Sequence, residues 1–168
     1  MKKQIIASIL VTVMLFGVIV ALSGCSAKKT SPKTFSSQGM SITLTDEFEE
    51  KEVAGYTVSY DSKNVGVLAL KEPFTLAEGI SEKTVEEYRD LVIKANPSNS
   101  YEKKSDGGLL WLEYDFTNKS TSQTYHYHVY VFKSKDAFWS ISIAALKENE
   151  QKYSSLFEEW AKSITFSE

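Results

Sequence analysis

The sequence predicts an α+β domain, in which helices flank a mainly antiparallel sheet. Two observations carry this prediction. Three long strand-like runs follow one another over residues 109–117, 124–133 and 137–145, separated only by short polar connections. Two segments, one before these runs and one after them, place apolar residues at helical spacing. Short connections favour an antiparallel meander, and amphipathic helices need a sheet face to cover.

The first half of the domain begins with strands. Residues 40–45 alternate apolar and hydroxyl side chains, as a strand with one buried face does. Residues 56–60 and 65–70 are two further strand-like runs, and the turn formers at 61–64 predict a hairpin between them. A helix is expected next, with Ser81 as its N-cap and Asn96-Pro97 as its end.

The second half contains the meander and the last helix. On the strand at 137–145 the small residues 140, 142 and 144 alternate with the larger Trp139, Ile141 and Ile143, so the large row is expected in the core. The helix is expected at about 149–163, where five apolar residues share one face: Tyr153, Leu156, Phe157, Trp160 and Ile164. This stripe predicts a helix packed on the sheet.

The N-terminus has the three parts of an export signal. Lys2 and Lys3 form a basic start, residues 5–22 are apolar, and Ser23 and Gly24 are small. The tetrad Leu22-Ser23-Gly24-Cys25 resembles the lipobox of bacterial lipoproteins, in which the cysteine takes a diacylglycerol and becomes the first residue after cleavage. Residues 1–24 are therefore predicted to be a cleaved signal peptide. The alternative is an uncleaved transmembrane anchor, for which the run is barely long enough.

The predicted organisation is a cleaved signal at 1–24, a flexible tether at 25–34 and one globular domain at 35–168. The tether is polar and contains a proline. With two acyl chains on Cys25, the domain is expected to stay on the extracytoplasmic face of the cell membrane.

Composition excludes several classes of function. Lys2 and Lys3 leave with the signal, so the 144-residue mature chain has 17 basic and 22 acidic residues, a net charge of −5. Without a basic stripe, nucleic acid is not an expected partner. Cys25 is the only cysteine in the sequence, so lipidation leaves no thiol for a disulfide, a nucleophile or a thiolate metal site.

The histidines are the candidates for metal binding. His126 and His128 are the only two in the sequence, and their spacing on a strand points both rings to one face. Glu113 and Asp115 have the same spacing on the preceding strand and become third and fourth ligands if the hairpin register aligns them. The alternative is an aromatic-rich sheet surface around residues 125–128, in which the rings stack on cross-strand neighbours.

A second candidate is a binding face. Trp111, Glu113 and Asp115 share one side of their strand, and with His126, His128 and Tyr130 they would form a patch of aromatic rings and carboxylates. Such a patch suits recognition of a protein, peptide or glycan. The alternative is that a helix layer covers it.

Catalysis is not expected. The sequence has no Gly-x-Ser-x-Gly turn, no Ser-x-x-Lys, no phosphate-binding glycine loop and no His-Glu-x-x-His helix. The acidic pairs at 49–50, 86–87 and 158–159 are adjacent along the chain, which is typical of solvated surface. No cofactor is expected, and an envelope hydrolase ranks behind the other hypotheses.

Two segments resemble a known family. The opening Phe35-x-x-x-Gly39-Met40, continuing to Phe48, and the ending Phe157-x-x-Trp160, continuing to Phe166, are similar to the Mog1/PsbP-like superfamily. The resemblance implies an α/β/α sandwich and a role in binding or assembly. The preferred function is thus a non-enzymatic binding or accessory subunit of the envelope with a protein partner. The alternative is a lipoprotein that binds metal or a small ligand through His126 and His128.

Overall fold

A central antiparallel sheet organises the molecule. The computed structural model describes residues 30–97 and 99–167. Within them, seven strands pair in the order β3-β4-β5-β9-β8-β7-β6. Their bounds are β3 Glu49–Glu50, β4 Val58–Asp61, β5 Val65–Pro73, β6 Glu102–Asp106, β7 Leu109–Thr117, β8 Thr124–Lys133 and β9 Ala137–Leu146. The pairing of β5 with β9 places the first hairpin beside the meander, as one continuous surface.

A smaller sheet contributes buried residues to the same core as α2. It consists of β1 (Pro32–Ser37), β2 (Met40–Thr45) and β10 (Thr165–Phe166), in the order β1-β2-β10. The turn between β1 and β2 has two residues, and both Gln38 and Gly39 have positive φ, at 52° and 87°. Such turns match the right-handed twist of a hairpin, and glycine adopts this backbone without strain.

One helix covers each face of the central sheet. α1 (Val85–Ala95) buries Tyr88 and Val92 against Leu112, Val129 and other apolar residues of the sheet. α2 (Glu150–Lys162) buries Tyr153, Phe157, Trp160 and Ala161 in the core that contains Trp139, Ile141 and Ile143. Because alternate residues of a strand face opposite sides, the two cores lie on opposite faces. The fold is therefore an α+β sandwich of helix, sheet and helix, as the sequence predicts.

Local signals explain where α1 begins. Thr84, not Ser81, is the N-cap: its hydroxyl accepts from the backbone N–H of Glu87, whose carboxylate accepts in return from the N–H of Thr84. This reciprocal capping satisfies two donors that the first turn leaves without partners. Ser81 lies in a 3-10 turn over Ile80–Glu82. The expected N-cap at Ser81 is wrong by three residues.

Two further boundaries differ from expectation. β1 begins at Pro32, so residues 32–34, which are expected in the tether at 25–34, form part of a strand. β6 was not expected, because its sequence Glu-Lys-Lys-Ser-Asp has no apolar residue. The predicted signal peptide at 1–24 and the predicted lipid site at Cys25 lie outside the described residues. Of the helices in the described part, neither has the length and apolar composition needed to cross a membrane.

Candidate functional site

The candidate residues on β7 and β8 come together on one face of the sheet. The register places Trp111 opposite Tyr130, Glu113 opposite His128 and Asp115 opposite His126. Since directly opposed residues of an antiparallel pair point to the same side, all six side chains face α2. The alignment on which the metal hypothesis depends is therefore present.

The aromatic part of this face is not available as a recognition surface. Trp111 is 5% exposed and Tyr130 is fully buried, because α2 and its neighbours cover them. Glu113 and Asp115 keep partial contact with solvent, with 20% and 44% of their side chains exposed. The expectation that Trp111 and Tyr130 line an exposed patch is therefore wrong. α2 covers both aromatic side chains, and only the carboxylates of Glu113 and Asp115, at the rim of this face, remain in contact with solvent.

His126 lies at this rim, between two carboxylates. Its Nδ1 is 2.7 Å from Oδ1 of Asp115, and its Nε2 is 3.5 Å from Oε1 of Glu150, the first residue of α2. Lys147 bridges the same two acids, at 3.2 Å from Asp115 and 2.6 Å from Glu150. Burial alone would raise the pKa of Asp115, but the hydrogen bonds from His126 and Lys147 outweigh it, so this pKa lies below its usual range.

His128 lies deeper, under Phe157 of α2, with the two ring centroids 5.2 Å apart. Its Nδ1 is 3.1 Å from the hydroxyl of Tyr130, and its Nε2 is 3.6 Å from Oε1 of Glu113. Burial lowers the pKa of His128 to about 4, so the ring is neutral at pH 7. The indole Nε1 of Trp111 donates to Oε1 of Glu113 at 2.8 Å and fixes that carboxylate beside the ring.

We call Glu113, His126 and His128 the histidine–carboxylate cluster. One possible ligand atom from each lies within 4.8 Å of the other two. Two imidazoles and a carboxylate are donors that suit zinc and neighbouring transition metals. The sequence does not indicate Glu150, because only the packing of α2 brings this carboxylate beside His126.

The opposite face of the same strands carries a second feature, which we call the tyrosine pocket. It is lined by Tyr101, Tyr114 and Tyr127, with Ser140 and Ser142 of β9 among its other walls. Tyr114 and Tyr127 stack at 4.9 Å between centroids, and Tyr101 meets Tyr114 edge-on at 5.1 Å. Burial raises the pKa of Tyr114 and of Tyr127, so both keep their hydroxyl protons.

The tyrosine pocket exists because α1 is short. α1 ends at Ala95, and Val92 and Asn96 at its C-terminal end form one edge of the pocket. The small side chains of Ser140 and Ser142 leave room above the sheet that no helix of the described residues fills. The alternating small residues of β9 are visible in the sequence. That they line a pocket is visible only in the structure, because it depends on where α1 ends.

Comparison with known proteins identifies the fold. No family model and no curated protein matches the sequence. Among solved structures, PsbP of Synechocystis sp. PCC 6803 aligns at 13% identity over 86% of this chain and 98% of its own, with a TM-score of 0.51. The Ran-binding protein Mog1p of Saccharomyces cerevisiae aligns at 14% identity over 82% and 96%, with a TM-score of 0.52.

A third structure is LpqN, described as involved in cell envelope biogenesis of Mycobacterium tuberculosis. It aligns at 11% identity over 83% of this chain and 91% of its own, with a TM-score of 0.50. Identities this low establish the fold and transfer no site residue. The fold is Mog1/PsbP-like, as the two sequence segments indicate.

Proposed function

We propose that this chain is a lipid-anchored protein of the cell envelope that acts by binding a protein partner, without catalysis of its own. The observation that carries the proposal is the Leu22-Ser23-Gly24-Cys25 tetrad at the end of a basic and apolar export segment. A protein with the same fold, LpqN, is described as involved in cell envelope biogenesis, and another, Mog1p, as a Ran-binding protein. Both descriptions are consistent with a binding role on this fold.

The position of Cys25 limits where such a partner can be. β1 begins at Pro32, seven residues after the cysteine. A fully extended chain advances by at most about 3.3–3.6 Å per residue, so the first strand lies within roughly 25 Å of the lipid. The partner would therefore be a membrane protein, or one held at the membrane surface.

The tyrosine pocket is the surface that we propose for this partner. Tyrosine offers a large apolar ring and a hydroxyl at little cost in side-chain entropy, which explains its enrichment at binding surfaces. The pocket places three tyrosines beside serine and asparagine side chains, so it offers stacking surface and hydrogen-bonding groups together. The volume of the pocket is about 40 Å³, so the matching group is a single small side chain of a partner protein that rests on this surface.

Site-specific photo-crosslinking in living cells tests this proposal. A benzophenone amino acid replaces Tyr101, a partly exposed residue of the pocket lining, in the full-length anchored chain. The matched control places the same group at Lys152, an exposed residue of α2 on the opposite side of the sheet. We expect a discrete adduct with an envelope protein from position 101 and none from position 152. Equal labelling from both positions, or no adduct at all, would contradict a partner at the pocket.

The anchor is tested separately by Cys25→Ala. We expect loss of the lipid mass and release of the protein from the membrane fraction or retention of its signal peptide, because the thiol is the site of acylation. Cys25→Ser serves as a control of nearly equal size. Unchanged mass and unchanged membrane fractionation in both variants would refute lipidation.

Turnover of generic ester or peptide substrates by the wild-type protein would contradict the non-enzymatic role.

A further inference from the structure

We propose that the histidine–carboxylate cluster binds a divalent first-row transition metal ion, for which zinc is the natural probe. Glu113, His126 and His128 would supply three ligands, and Glu150 of α2 would supply the fourth. This site is independent of the anchor and lies on the face of the sheet opposite the tyrosine pocket.

The first argument is that both imidazoles have one nitrogen occupied and the other free to coordinate. Nδ1 of His126 contacts Asp115, and Nδ1 of His128 contacts the hydroxyl of Tyr130. At His126 the carboxylate of Asp115 accepts a hydrogen bond from the Nδ1–H, which leaves the Nε2 lone pair available. At His128 the hydroxyl of Tyr130 holds Nδ1, and Nε2 is the nitrogen that faces Glu113. Carboxylate–histidine pairs of this kind orient the ligating rings in zinc proteins.

The second argument is an unpartnered buried nitrogen. Only 7% of the His126 side chain is exposed, and its Nε2 is buried with no hydrogen-bond partner among the described residues. Leaving such a group without a partner costs about 1–3 kcal/mol in a folded protein. Nε2 of His126 points toward Oε1 of Glu150 at 3.5 Å, too far for a hydrogen bond. A metal ion between them would satisfy both atoms.

The third argument is the spacing of the donors. Ligand atoms about 2.0–2.1 Å from a tetrahedral zinc ion are roughly 3.4 Å from each other. His126 Nε2 and Glu150 Oε1 are 3.5 Å apart, and His128 Nε2 and Glu113 Oε1 are 3.6 Å apart. Glu113, His126 and His128 have one donor each within a mutual 4.8 Å, so small side-chain rotations would bring these three donors to bonding distance, and Glu150 approaches them at His126.

The fourth argument is that the two oxygens of each carboxylate have different partners. Oε2 of Glu113 faces the ammonium of Lys104 at 3.6 Å, while Oε1 faces His128 and has one lone pair left after it accepts from the indole of Trp111. Oε2 of Glu150 binds Lys147 at 2.6 Å, while Oε1 faces His126. The lysines thus hold the outer oxygens at the rim and leave the inner oxygens directed at the rings. Because Asp115 and Glu150 are partly exposed, this rim also gives an ion a route from solvent.

Metal titration of the purified full-length chain in detergent micelles tests the site. The protein is stripped with a chelator, dialysed, and titrated with Zn²⁺ by calorimetry and with Co²⁺ by visible absorption. We expect one ion per chain and the intense Co²⁺ bands of a four-coordinate nitrogen and oxygen site. Glu113→Gln still accepts from Trp111 but loses the anionic ligand, so we expect at least a tenfold loss of affinity. His126→Gln with His128→Gln should abolish binding.

Glu148→Gln is the matched control, because it removes one exposed carboxylate two residues from Glu150 and should leave affinity unchanged. Circular dichroism checks the fold of every variant, and Glu113→Gln decides the outcome if the double histidine variant does not fold. The proposal is overturned if the wild type takes up no Zn²⁺ at millimolar concentration. It is also overturned if Glu113→Gln binds as tightly as Glu148→Gln.

Discussion

The contact between Tyr88 and Glu72 joins α1 to the central sheet and gives a direct test of the packing. Glu72 of β5 is 6% exposed, and it accepts a hydrogen bond from the hydroxyl of Tyr88, which is fully buried. The ring of Tyr88 stacks on Phe138 with centroids 4.4 Å apart and an angle of 7°. Tyr88→Phe keeps this stack and removes only the hydroxyl, so it isolates the hydrogen bond.

We expect Tyr88→Phe to lower the free energy of unfolding by about 2 kcal/mol at pH 7, since it leaves a buried carboxylate without its donor. Glu72→Gln keeps an acceptor for Tyr88 but removes the charge, so its effect should be much smaller or stabilising. In the Glu72→Gln background, Tyr88→Phe should cost only about 1 kcal/mol, the value of a neutral hydrogen bond.

The pH dependence has a definite sign. Burial raises the pKa of Glu72, and the hydrogen bond from Tyr88 offsets this only in part. The folded state therefore holds the Glu72 proton more tightly than the unfolded state does. The corresponding stability is fully present below the unfolded pKa and is lost as pH rises through the folded pKa. Without the Tyr88 hydroxyl the raised pKa moves higher still, so the penalty of Tyr88→Phe should shrink in acid.

Urea unfolding at pH 5 and pH 7, followed by tryptophan fluorescence, measures these differences. The chain without residues 1–25 serves for all variants, so that detergent does not interfere. Equal stability of the wild type and Tyr88→Phe at pH 7 would refute the reasoning. So would a loss in Glu72→Gln as large as that in Tyr88→Phe, because the charge would then not be the source of the effect.

Three further stability changes follow from the fold, each measurable by the same urea titration. Phe157→Ala removes a ring that is 1% exposed and should cost about 3–5 kcal/mol; a loss below 1 kcal/mol would mean that α2 does not pack as described. Thr84→Ala removes the N-cap of α1 and should cost about 1 kcal/mol, whereas Ser81→Ala should have no effect on that helix. Gly39→Ala should cost roughly 1 kcal/mol because φ at this position is +87°, and an unchanged midpoint would contradict the turn.

The regions predicted well are those where a periodic pattern or a polar connection marks the ends of an element. β2 alternates buried and partly exposed residues, whereas β8 is buried on both faces, and the ends of β7 and β8 are marked by the polar connection between them. α2 agrees with the prediction to within one residue at each end, because its apolar residues recur at helical spacing. β6 could not be found in this way. It is an edge strand with both faces polar, held by backbone pairing to β7, and its Lys103 and Lys104 protect the open edge.

The candidate sites were predictable only in part, because each needs two elements distant in sequence. The spacing of His126 and His128 fixes their common face, but their carboxylate partners depend on register and on the docking of α2. Burial of Trp111 likewise depends on α2, which begins 39 residues later. Periodicity within one segment contains no information on what another segment covers.

Both candidate sites depend on a single turn. The six residues 118–123 join β7 to β8, and Asn118 is 2% exposed within it. The backbone N–H of Asn118 donates to the carbonyl of Gln123, its own carbonyl accepts from Ser122, and its side chain accepts from the N–H of Ser120. This network aligns Thr117 with Thr124 and hence Glu113 with His128. A shift of one residue would turn the histidines away from the carboxylates and the tyrosines away from their pocket. The same turn therefore sets the chemistry of both faces, which explains why a buried asparagine occupies a surface connection.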